Sequence, residues 1–239
     1  SLARVHHPNV LTIHGADLRD ERAGLWTEQV IGRTLEEELT ARGPLPPADV
    51  LRVGHDLASA LAAVHAAGLV HGDLKPSNGM IGGEAPAGDA PPDAARGEAP
   101  QVRRVVLRDF GAARVAARGD DHGALTATPL FAAPEVLNGA TPDARSDIYT
   151  LGVVLYRLLT GGNPIEAPDL PGLIAAHGTD ARVPLLTRRA DLPHALAAIV
   201  ERAIAPRPAA RYGSAAELRD GLGRLLGERP RLHIGQLVV

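Results

Sequence analysis

The sequence predicts an α+β domain, in which a few short strands come first and helices make up most of the remainder. Two short apolar segments, at 10–13 and 25–31, flank a polar turn at 17–24, which is typical of a strand pair. Two longer segments, at 48–67 and 146–160, have the composition of buried helices. The chain has 239 residues, of which 45% are hydrophobic and 22% charged, so it can bury the core of one domain.

The first long helix is predicted from a stripe of apolar residues and a clear end. The stripe residues recur three or four positions apart, at Val50, Val53, Leu57, Leu61 and Val64. Gly68 then ends the helix. Beyond it, the segment 82–100 is rich in Gly, Ala, Pro and Asp and has no periodicity, so we predict a disordered insertion. The apolar segment 102–107 predicts a strand, and 109–134 shows little pattern.

Three helices are predicted after the insertion. The segment 146–160 is apolar almost all round, which predicts a buried helix with Ser146 and Asp147 at its N-cap and Gly161 after its end. Helices are also predicted near 193–205 and 214–226. The last of them opens with a capping-box pattern, in which Glu217 follows Ser214 by three positions.

Composition excludes several classes of protein. The chain has 25 Lys and Arg against 28 Asp and Glu, and a net charge of −3 argues against binding nucleic acid or anionic lipid by bulk charge. Cysteine is absent, which excludes a disulfide scaffold, a cysteine nucleophile and thiolate metal sites. No segment approaches the roughly 18 apolar residues of a membrane span, and the start of the chain has no signal-peptide pattern.

Two residue types occur only once. Lys75 is the only lysine beside many arginines, which makes it a candidate for a position where a compact point charge is needed; chance survival under the arginine-rich composition is the alternative. Met80 is the only methionine, so the sequence begins at Ser1 without an initiator. The chain is therefore either processed or, as we expect, a fragment of a longer protein.

Four motifs follow one another along the chain. They are HGDLKPSN at 71–78, DFG at 109–111, APE at 133–135 and DIYTLGVVLYRLLTG at 147–161. A single Asp-Phe-Gly is a weak signal, because any turn of that composition produces it. The four motifs in this order, with a strand before DFG and a buried helix after APE, form a specific pattern.

This set resembles the catalytic part of a protein kinase, and together with HPNV at 7–10 it is most similar to the bacterial serine/threonine kinases. The resemblance covers nearly the whole chain. It implies a protein-kinase-like fold with a complete, mainly helical C-terminal lobe (C-lobe) and only the later strands of the N-terminal lobe (N-lobe). It also implies a signalling enzyme that uses ATP and Mg²⁺ to phosphorylate Ser or Thr hydroxyls of proteins.

The resemblance assigns roles to the residues of the first two motifs. Asp73 would accept the proton of the substrate hydroxyl, and Lys75 would contact the transferring phosphate. Asn78 and Asp109 would be Mg²⁺ ligands, since both offer hard oxygen atoms. Taken alone, Asp73 and Asn78 also fit a simple Asx turn.

The nucleotide site is placed by the same resemblance. The Glu28 carbonyl and the Val30 N–H would pair with adenine, with Thr27 as a small gatekeeper beside them. Met80 would lie under the adenine ring, although it also fits as a core residue. Lys75 and Asp109 would complete the ATP contacts at the phosphates.

Other residues would support the site. Glu135 and Arg211 match the ion pair that ties the APE motif to the last helices, and Asp147 matches the aspartate that holds the catalytic-loop backbone. His71 and Phe110 are expected to pack rather than react.

The sequence departs from the family pattern in two places. Gly72 stands where the family has the arginine of H-R-D, which pairs with a phosphate on the activation loop. The Gly-rich loop, the lysine of the family's third strand and the glutamate of its helix C are not found in these residues, and Lys75 is already used in the catalytic loop. We therefore expect the isolated chain to be inactive. The expected organisation is 1–33 for the partial N-lobe and hinge, 34–226 for the C-lobe including the insertion, and 227–239 for a tail.

Two other functions are compatible with the sequence. One is a non-catalytic pseudokinase that binds partners, and the other is a small-molecule phosphotransferase of the aminoglycoside type, whose loop is similar to HGDLKPSN. The APE motif and the DIYTLG helix argue against the second. The expected partners are ATP and a protein substrate, with no nucleic acid and no membrane segment in this chain. The expected location is cytoplasmic, with a membrane anchor possible outside these residues.

Overall fold

A computed structural model describes residues 5–19, 22–82, 104–109, 114–115 and 129–227, with side chains omitted at 16–25 and 114–115. The described strands are β1 Ile13–Arg19, β2 Arg22–Thr27, β3 Gly32–Thr34, β4 Leu69–Val70, β5 Gly79–Gly82, β6 Val105–Leu107 and β7 Arg114–Val115. The described helices are α1 Leu35–Arg42, α2 Pro47–Ala66, α3 Pro134–Leu137, α4 Ala144–Thr160, α5 Leu170–Gly178, α6 Leu185–Arg188, α7 His194–Ala203 and α8 Ala215–Gly227.

The described strands form three small antiparallel sheets. β1 and β2 form a hairpin, β3, β5 and β6 form a three-stranded sheet in the order β3-β5-β6, and β4 pairs with β7. A parallel bridge between Val10 and Leu107 joins the segment before β1 to the three-stranded sheet. The α+β class predicted from the sequence is confirmed.

The strand boundaries predicted near the start of the chain are wrong. The segment 17–24, predicted as a polar turn, lies mostly within β1 and β2. Only Val10 of the segment 10–13 forms a bridge before β1 begins at Ile13. Cross-strand backbone pairing extends this hairpin well beyond its apolar residues, so apolar content alone underestimates its length.

Helix α1 was missed by the sequence prediction although its signal is present. The Thr34 hydroxyl caps the N-terminus of this helix by accepting a hydrogen bond from the Glu37 N–H at 3.1 Å. The Glu37 carboxylate in turn accepts a hydrogen bond from the Thr34 N–H at 2.8 Å. This Thr-x-x-Glu pattern is a capping box, which satisfies two amides that the helix itself leaves unpaired.

Helix α2 and helix α4 form the centre of the core. α2 ends at Ala66. Gly68, which was predicted to end this helix, has a φ of 72°, the left-handed conformation typical of a residue just after a helix. α2 packs against α4 and α8, and α4 packs against α7. The side chains from Ser146 to Tyr156 on α4 are all buried, which confirms the helix predicted at 146–160.

Two predicted caps need correction. The N-cap of α4 is Asp143 rather than Ser146 and Asp147, because the Asp143 carboxylate accepts the N–H groups of Arg145 and Ser146 at 2.9 and 2.8 Å. In the predicted box at α8, the Ser214 hydroxyl does accept the Glu217 N–H, at 3.1 Å. The Glu217 carboxylate, however, accepts from Gly213 rather than from Ser214.

Several sequence expectations fall outside the described residues. They include most of the predicted insertion at 82–100, Phe110 and Gly111 of the DFG motif, and the tail beyond 227. In the part of the chain that is described, no helix is both long and apolar enough to cross a membrane.

Candidate active site

The catalytic loop, defined here as residues 71–78, lies between two short strands. β4 leads into it, a single turn of 3-10 helix from Pro76 to Asn78 ends it, and β5 continues from Gly79. Pro76 at the first position of this turn fixes the backbone where a free N–H is not needed. The loop is therefore held at both ends by strands that belong to different sheets.

Asp147, in the first turn of α4, anchors the start of the loop. Its two carboxylate oxygens accept the N–H groups of His71 and Gly72 at 2.8 and 2.9 Å. The ring of His65, on the last turn of α2, contacts the same carboxylate at 2.8 Å. The Asp147 side chain is 2% exposed, so these bonds satisfy a carboxylate that burial would otherwise destabilise.

The backbone at Gly72 has a φ of 75°. This left-handed conformation is accessible to glycine but costs other residues roughly 1–2 kcal/mol. The N–H of Gly72 donates to Asp147, and the residue contributes no side chain beside Asp73.

Asp73 and Lys75 form the charged centre of the loop. The Lys75 Nζ lies 2.7 Å from the Asp73 Oδ2, and both side chains are partly exposed. The backbone of Asp73 is fixed separately, because its N–H contacts the His71 Nδ1 at 3.3 Å and its carbonyl accepts the Asn78 Nδ2 at 2.8 Å. The predicted base and the predicted phosphate contact are therefore neighbours on a rigid backbone.

His71 is buried and packs, as predicted. Burial lowers its pKa below the usual value of 6.5, although the carboxylate of Asp147 acts in the opposite direction. The ring is therefore neutral at physiological pH and serves as part of the loop framework.

The structure brings Asn78 and Asp109 to the same edge of the three-stranded sheet. Gly79 pairs with Leu107 in the β5–β6 register, and the Arg108 N–H donates to the Asn78 carbonyl at 2.9 Å. Asp109 follows directly, with an exposed side chain and a φ of 62°. Such a conformation is uncommon for a residue other than glycine and is concentrated at functional sites.

This edge fits a magnesium ion in its chemistry. The Asn78 Nδ2 donates to the Asp73 carbonyl, so the Asn78 amide oxygen would be the atom to bind a metal, and Asp109 offers a carboxylate. Mg²⁺ in phosphate-transfer sites uses one or two such protein oxygens and takes its other ligands from phosphates and water. Within the described residues no group of three or more His, Cys, Asp or Glu side chains is placed to hold a metal.

The predicted hinge follows β2. The Glu28 N–H donates to the Thr12 carbonyl at 3.0 Å, and the Glu28 carboxylate accepts the Thr12 N–H at 2.8 Å. Thr27 is the last residue of β2 and is exposed, and Val30 lies in the irregular segment before β3. Glu28 therefore fixes the direction of the chain as it passes from the hairpin to the three-stranded sheet.

Met80 lies on the middle strand of that sheet. In β5 it pairs with Thr34 of β3 on one side and Val106 of β6 on the other, and its side chain is half-buried. β3 begins two residues after Val30, so the segment that carries the predicted hinge leads into the strand that pairs with Met80. Met80 is thus neither a fully buried core residue nor a surface residue.

The predicted ion pair between Glu135 and Arg211 is present. Two parallel bonds of 2.6 and 2.8 Å join the guanidinium to the carboxylate. Arg211 also donates to the carbonyls of Ala205, Arg145 and Pro206 and lies over the ring of Tyr149, 4.7 Å from its centre. It ties the APE segment to α4 and to the segment before α8, with every donor satisfied.

Sequence reasoning missed three residues of this region. His65 is the third partner of Asp147, and its position on the last turn before the catalytic loop was the available signal. Glu36 and Arg157 form an ion pair of 2.9 Å between α1 and α4 beside the loop. No spacing in the sequence indicates that pair, because its members are 121 positions apart.

Comparisons with known proteins show which family this chain belongs to. The model of the protein kinase domain family matches residues 1–219. Two relatives come from Myxococcus xanthus, the serine/threonine-protein kinases pkn3 and pkn2, which are 32% and 35% identical over 96% and 92% of this chain. The serine/threonine-protein kinase PknB of Mycobacterium leprae is 30% identical over 95% of the chain. The chain spans 41%, 26% and 35% of the length of these relatives.

Proposed function

Because the chain belongs to the protein kinase family, we propose that it carries the site that transfers the γ-phosphate of ATP to Ser or Thr hydroxyls of protein substrates. The observation that carries the proposal is the Asp73–Lys75 pair of 2.7 Å, on a loop whose amides are fixed by the buried carboxylate of Asp147. For the full-length protein, we likewise propose kinase activity, with ATP and a Ser- or Thr-containing protein as its substrates.

Asp73 is the catalytic base in this proposal. Its carboxylate accepts the proton of the substrate hydroxyl and orients the attacking oxygen. Lys75 exchanges its contact with Asp73 for one with the transferring phosphate, where its flexible ammonium group offsets developing negative charge. A lysine at this position of the loop is the serine/threonine pattern of the family, in accord with the names of the relatives.

Asn78 and Asp109 would hold Mg²⁺ through their side-chain oxygens. When bound, the ion would neutralise negative charge on the phosphates of ATP. Their common position at the edge of the β3-β5-β6 sheet supports this assignment.

The adenine of ATP would bind between the hinge and β5. The Glu28 carbonyl and the Val30 N–H would pair with the base, Thr27 would border it, and Met80 would pack against the ring. The half-buried state of Met80 supports this role, since a side chain there can cover an aromatic ligand without being sealed in the core. Residues 1–33 then serve as hinge and N-lobe, 34–226 as C-lobe and 227–239 as a tail.

The test is the substitution Asp73→Asn in the full-length protein. Loss of the base should reduce kcat by about 10² to 10⁴, because that is the usual contribution of general-base catalysis. The measurement is transfer of labelled phosphate from ATP to a generic Ser/Thr-rich protein, with folding monitored by circular dichroism.

Asp191→Asn is the matched control, since it makes the same chemical change at a carboxylate that is 71% exposed. The control should retain the wild-type rate. Equal rates for wild type and Asp73→Asn would refute the role of Asp73. A folded wild-type protein that binds ATP without transferring phosphate would favour the pseudokinase alternative.

A further inference from the structure

We propose that Arg108, the residue directly before the DFG motif, binds the phosphates of the nucleotide and gives the site an affinity for nucleotides that does not require a metal ion. This inference rests on the proposed function, since it adds a contact to the nucleotide site described above. The resemblance assigns no role to Arg108. The ligand chemistry is a phosphate ester or anhydride of adenosine.

The backbone of Arg108 is fixed at the edge of the β3-β5-β6 sheet. Its N–H donates to the Asn78 carbonyl at 2.9 Å. This bond continues the antiparallel β5–β6 register, in which Met80 lies opposite Val106. Side chains alternate between the two faces of a strand, so residues two apart share a face, as do residues opposite each other. Arg108 is two residues beyond Val106 and therefore lies on the face that carries Met80.

On this face Arg108 stands between the two ends of the proposed nucleotide site. Met80 would pack against the base, whereas Asn78 and the adjacent Asp109 would hold the metal at the phosphates. The Arg108 side chain is partly exposed, and an arginine typically buries its stem and keeps its charged head in water. A nucleotide that extends from Met80 to Asp109 would therefore pass within reach of the guanidinium.

The charge of Arg108 is not used in an ion pair within the described part of the chain. It acts on the carboxylate of Glu37. Hydrogen bonds from Thr34 are the main cause that lowers the pKa of Glu37, and the charges of Arg108 and Arg33 add to them. The Glu37 carboxylate already accepts the N–H and the hydroxyl of Thr34, at 2.8 and 3.0 Å. Arg108 can therefore turn to a ligand without leaving a partner unsatisfied.

A phosphate group suits Arg108 for two reasons. A phosphate beside Asn78 and Asp109 would be repelled by the Asp109 carboxylate unless a cation offsets that charge. Arg108 places a permanent cation on the same edge of the sheet, and a guanidinium can donate two parallel N–H bonds to a phosphate. Nucleotide binding should therefore persist when Mg²⁺ is removed.

The test measures nucleotide binding without metal, so that it does not depend on catalysis. Adenosine, AMP, ADP and ATP are titrated into the full-length protein in EDTA by isothermal titration calorimetry. ADP should bind at least about tenfold more tightly than adenosine, since one hydrogen bond between charged groups contributes enough for that ratio. Arg108→Gln should remove most of this preference and leave the affinity for adenosine unchanged. The first nucleotide of the series whose affinity falls identifies the phosphate that Arg108 contacts.

Arg33→Gln is the matched control. Arg33 is 67% exposed and acts on Glu37 as Arg108 does, but it precedes Thr34 in β3 and so belongs to the other face of the sheet. Its substitution should leave the ratio of the ADP and adenosine affinities unchanged. If Arg108 served only to stabilise Glu37, both variants would alter stability and neither would alter this ratio. Arg108→Lys, which keeps the charge but not the paired donors, should retain part of the preference.

The outcomes separate this inference from the proposed function. Equal affinities of the wild type for ADP and adenosine in EDTA would overturn the inference without any variant. An equal loss of both ligands in Arg108→Gln, or the same loss in Arg33→Gln, would also overturn it. Phosphate transfer that depends on Asp73, with ADP binding unchanged in Arg108→Gln, would contradict the inference alone. Binding of ADP that depends on Arg108, in a protein that transfers no phosphate, would support the inference and contradict the proposed function.

Discussion

Single buried polar residues hold together segments that are far apart in the sequence. Asp147 accepts two consecutive amides of the catalytic loop, and Arg211 joins the APE segment to three backbone carbonyls. Each of these charges is almost fully withdrawn from water, and each is matched by directed hydrogen bonds. Removing a hydrogen-bond partner of Asp147 or Arg211 would leave a buried charge unsatisfied. The stability of the segments around the site therefore depends on both members of each contact.

Among the described residues, three histidines make the stability of the fold dependent on pH. Burial lowers the pKa values of His71, His7 and His177 in the folded chain below the ordinary value of 6.5. Below pH 6.5 the unfolded chain therefore binds more protons than the folded chain, and the free energy of unfolding falls as the pH is lowered. Above that pH these residues are neutral in both states, and their contribution is constant.

Urea denaturation at neutral and at mildly acidic pH would measure this effect. The free energy of unfolding should decrease on acidification, with a slope of at most about 1.4 kcal/mol per pH unit for each histidine. His177→Gln should make the dependence of the unfolding free energy on pH shallower, because it removes one of the three histidines with a lowered pKa. His177 is only partly buried, so the substitution can be made without filling or emptying the core. A protein that becomes more stable between pH 6.5 and mildly acidic pH would contradict the prediction.

At the scale of elements, the sequence predicts the helices better than the strands. α2 and α4 were found because each buries a long apolar surface, and that surface repeats with the helical period. The hairpin limits were wrong because cross-strand pairing, rather than apolar content, decides where β1 and β2 end. The cap of α4 was misplaced by three residues because Asp143 and Ser146 are both good capping residues, and only the hydrogen bonds distinguish them.

The candidate site was predictable to the extent that its residues lie in one continuous segment. Asp73, Lys75 and Asn78 belong to a single motif, so their proximity follows from the sequence alone. The pairing of Glu36 with Arg157 depends on how α1 meets α4, which local patterns do not encode. Side-chain pairs between residues far apart in the sequence become visible only in the structure.

Glycine 152 allows α4 to approach α7 closely. A Cβ atom at this position would lie 2.7 Å from the Ile204 Cγ2 and 2.9 Å from the Ala203 Cβ. Gly152→Ala should therefore lower the free energy of unfolding by about 1–3 kcal/mol, the usual cost of overpacking a core. This loss should exceed the gain in helix propensity that alanine brings. Urea denaturation followed by circular dichroism measures the difference.

Gly223→Ala on α8 is the control for this prediction. Its Cβ would lie 3.5 Å from the nearest atom of His55, an ordinary contact, so the helix propensity of alanine should raise stability by about 0.5–1 kcal/mol. Equal effects of the two substitutions, in either direction, would show that the α4–α7 contact does not require glycine.

At the scale of the whole molecule, the site is assembled from two structural parts. The predicted hinge follows β2 and Met80 lies on β5, whereas the first amides of the catalytic loop are held by Asp147 of α4, which His65 of α2 also contacts. The β3-β5-β6 sheet links these parts, since it contains Met80 and ends at Asn78 and Asp109. The start of the catalytic loop is thus anchored to the helical core through the two hydrogen bonds that Asp147 accepts.

This anchoring predicts how the full-length protein responds to phosphorylation of its activation loop. The family's switch pairs a phosphothreonine with the arginine beside the catalytic aspartate, and here that residue is Gly72, with a φ of 75° and no cation. Thr126 and Thr128, the hydroxyls expected in this loop, lie outside the described residues. We expect kcat/KM to change little when phosphatase-treated and phosphorylated proteins are compared.

An exposed ion pair is too weak to act as a sharp switch. Reversing a conformational equilibrium from 1:99 to 99:1 requires about 5.5 kcal/mol, whereas an exposed ion pair with another arginine supplies about 0–1 kcal/mol. Thr126→Ala should therefore leave kcat/KM near the wild-type value. A drop of about a hundredfold on dephosphorylation, worth ~2.7 kcal/mol in transition-state stabilisation and reproduced by Thr126→Ala, would show that another cation takes the place of the missing arginine.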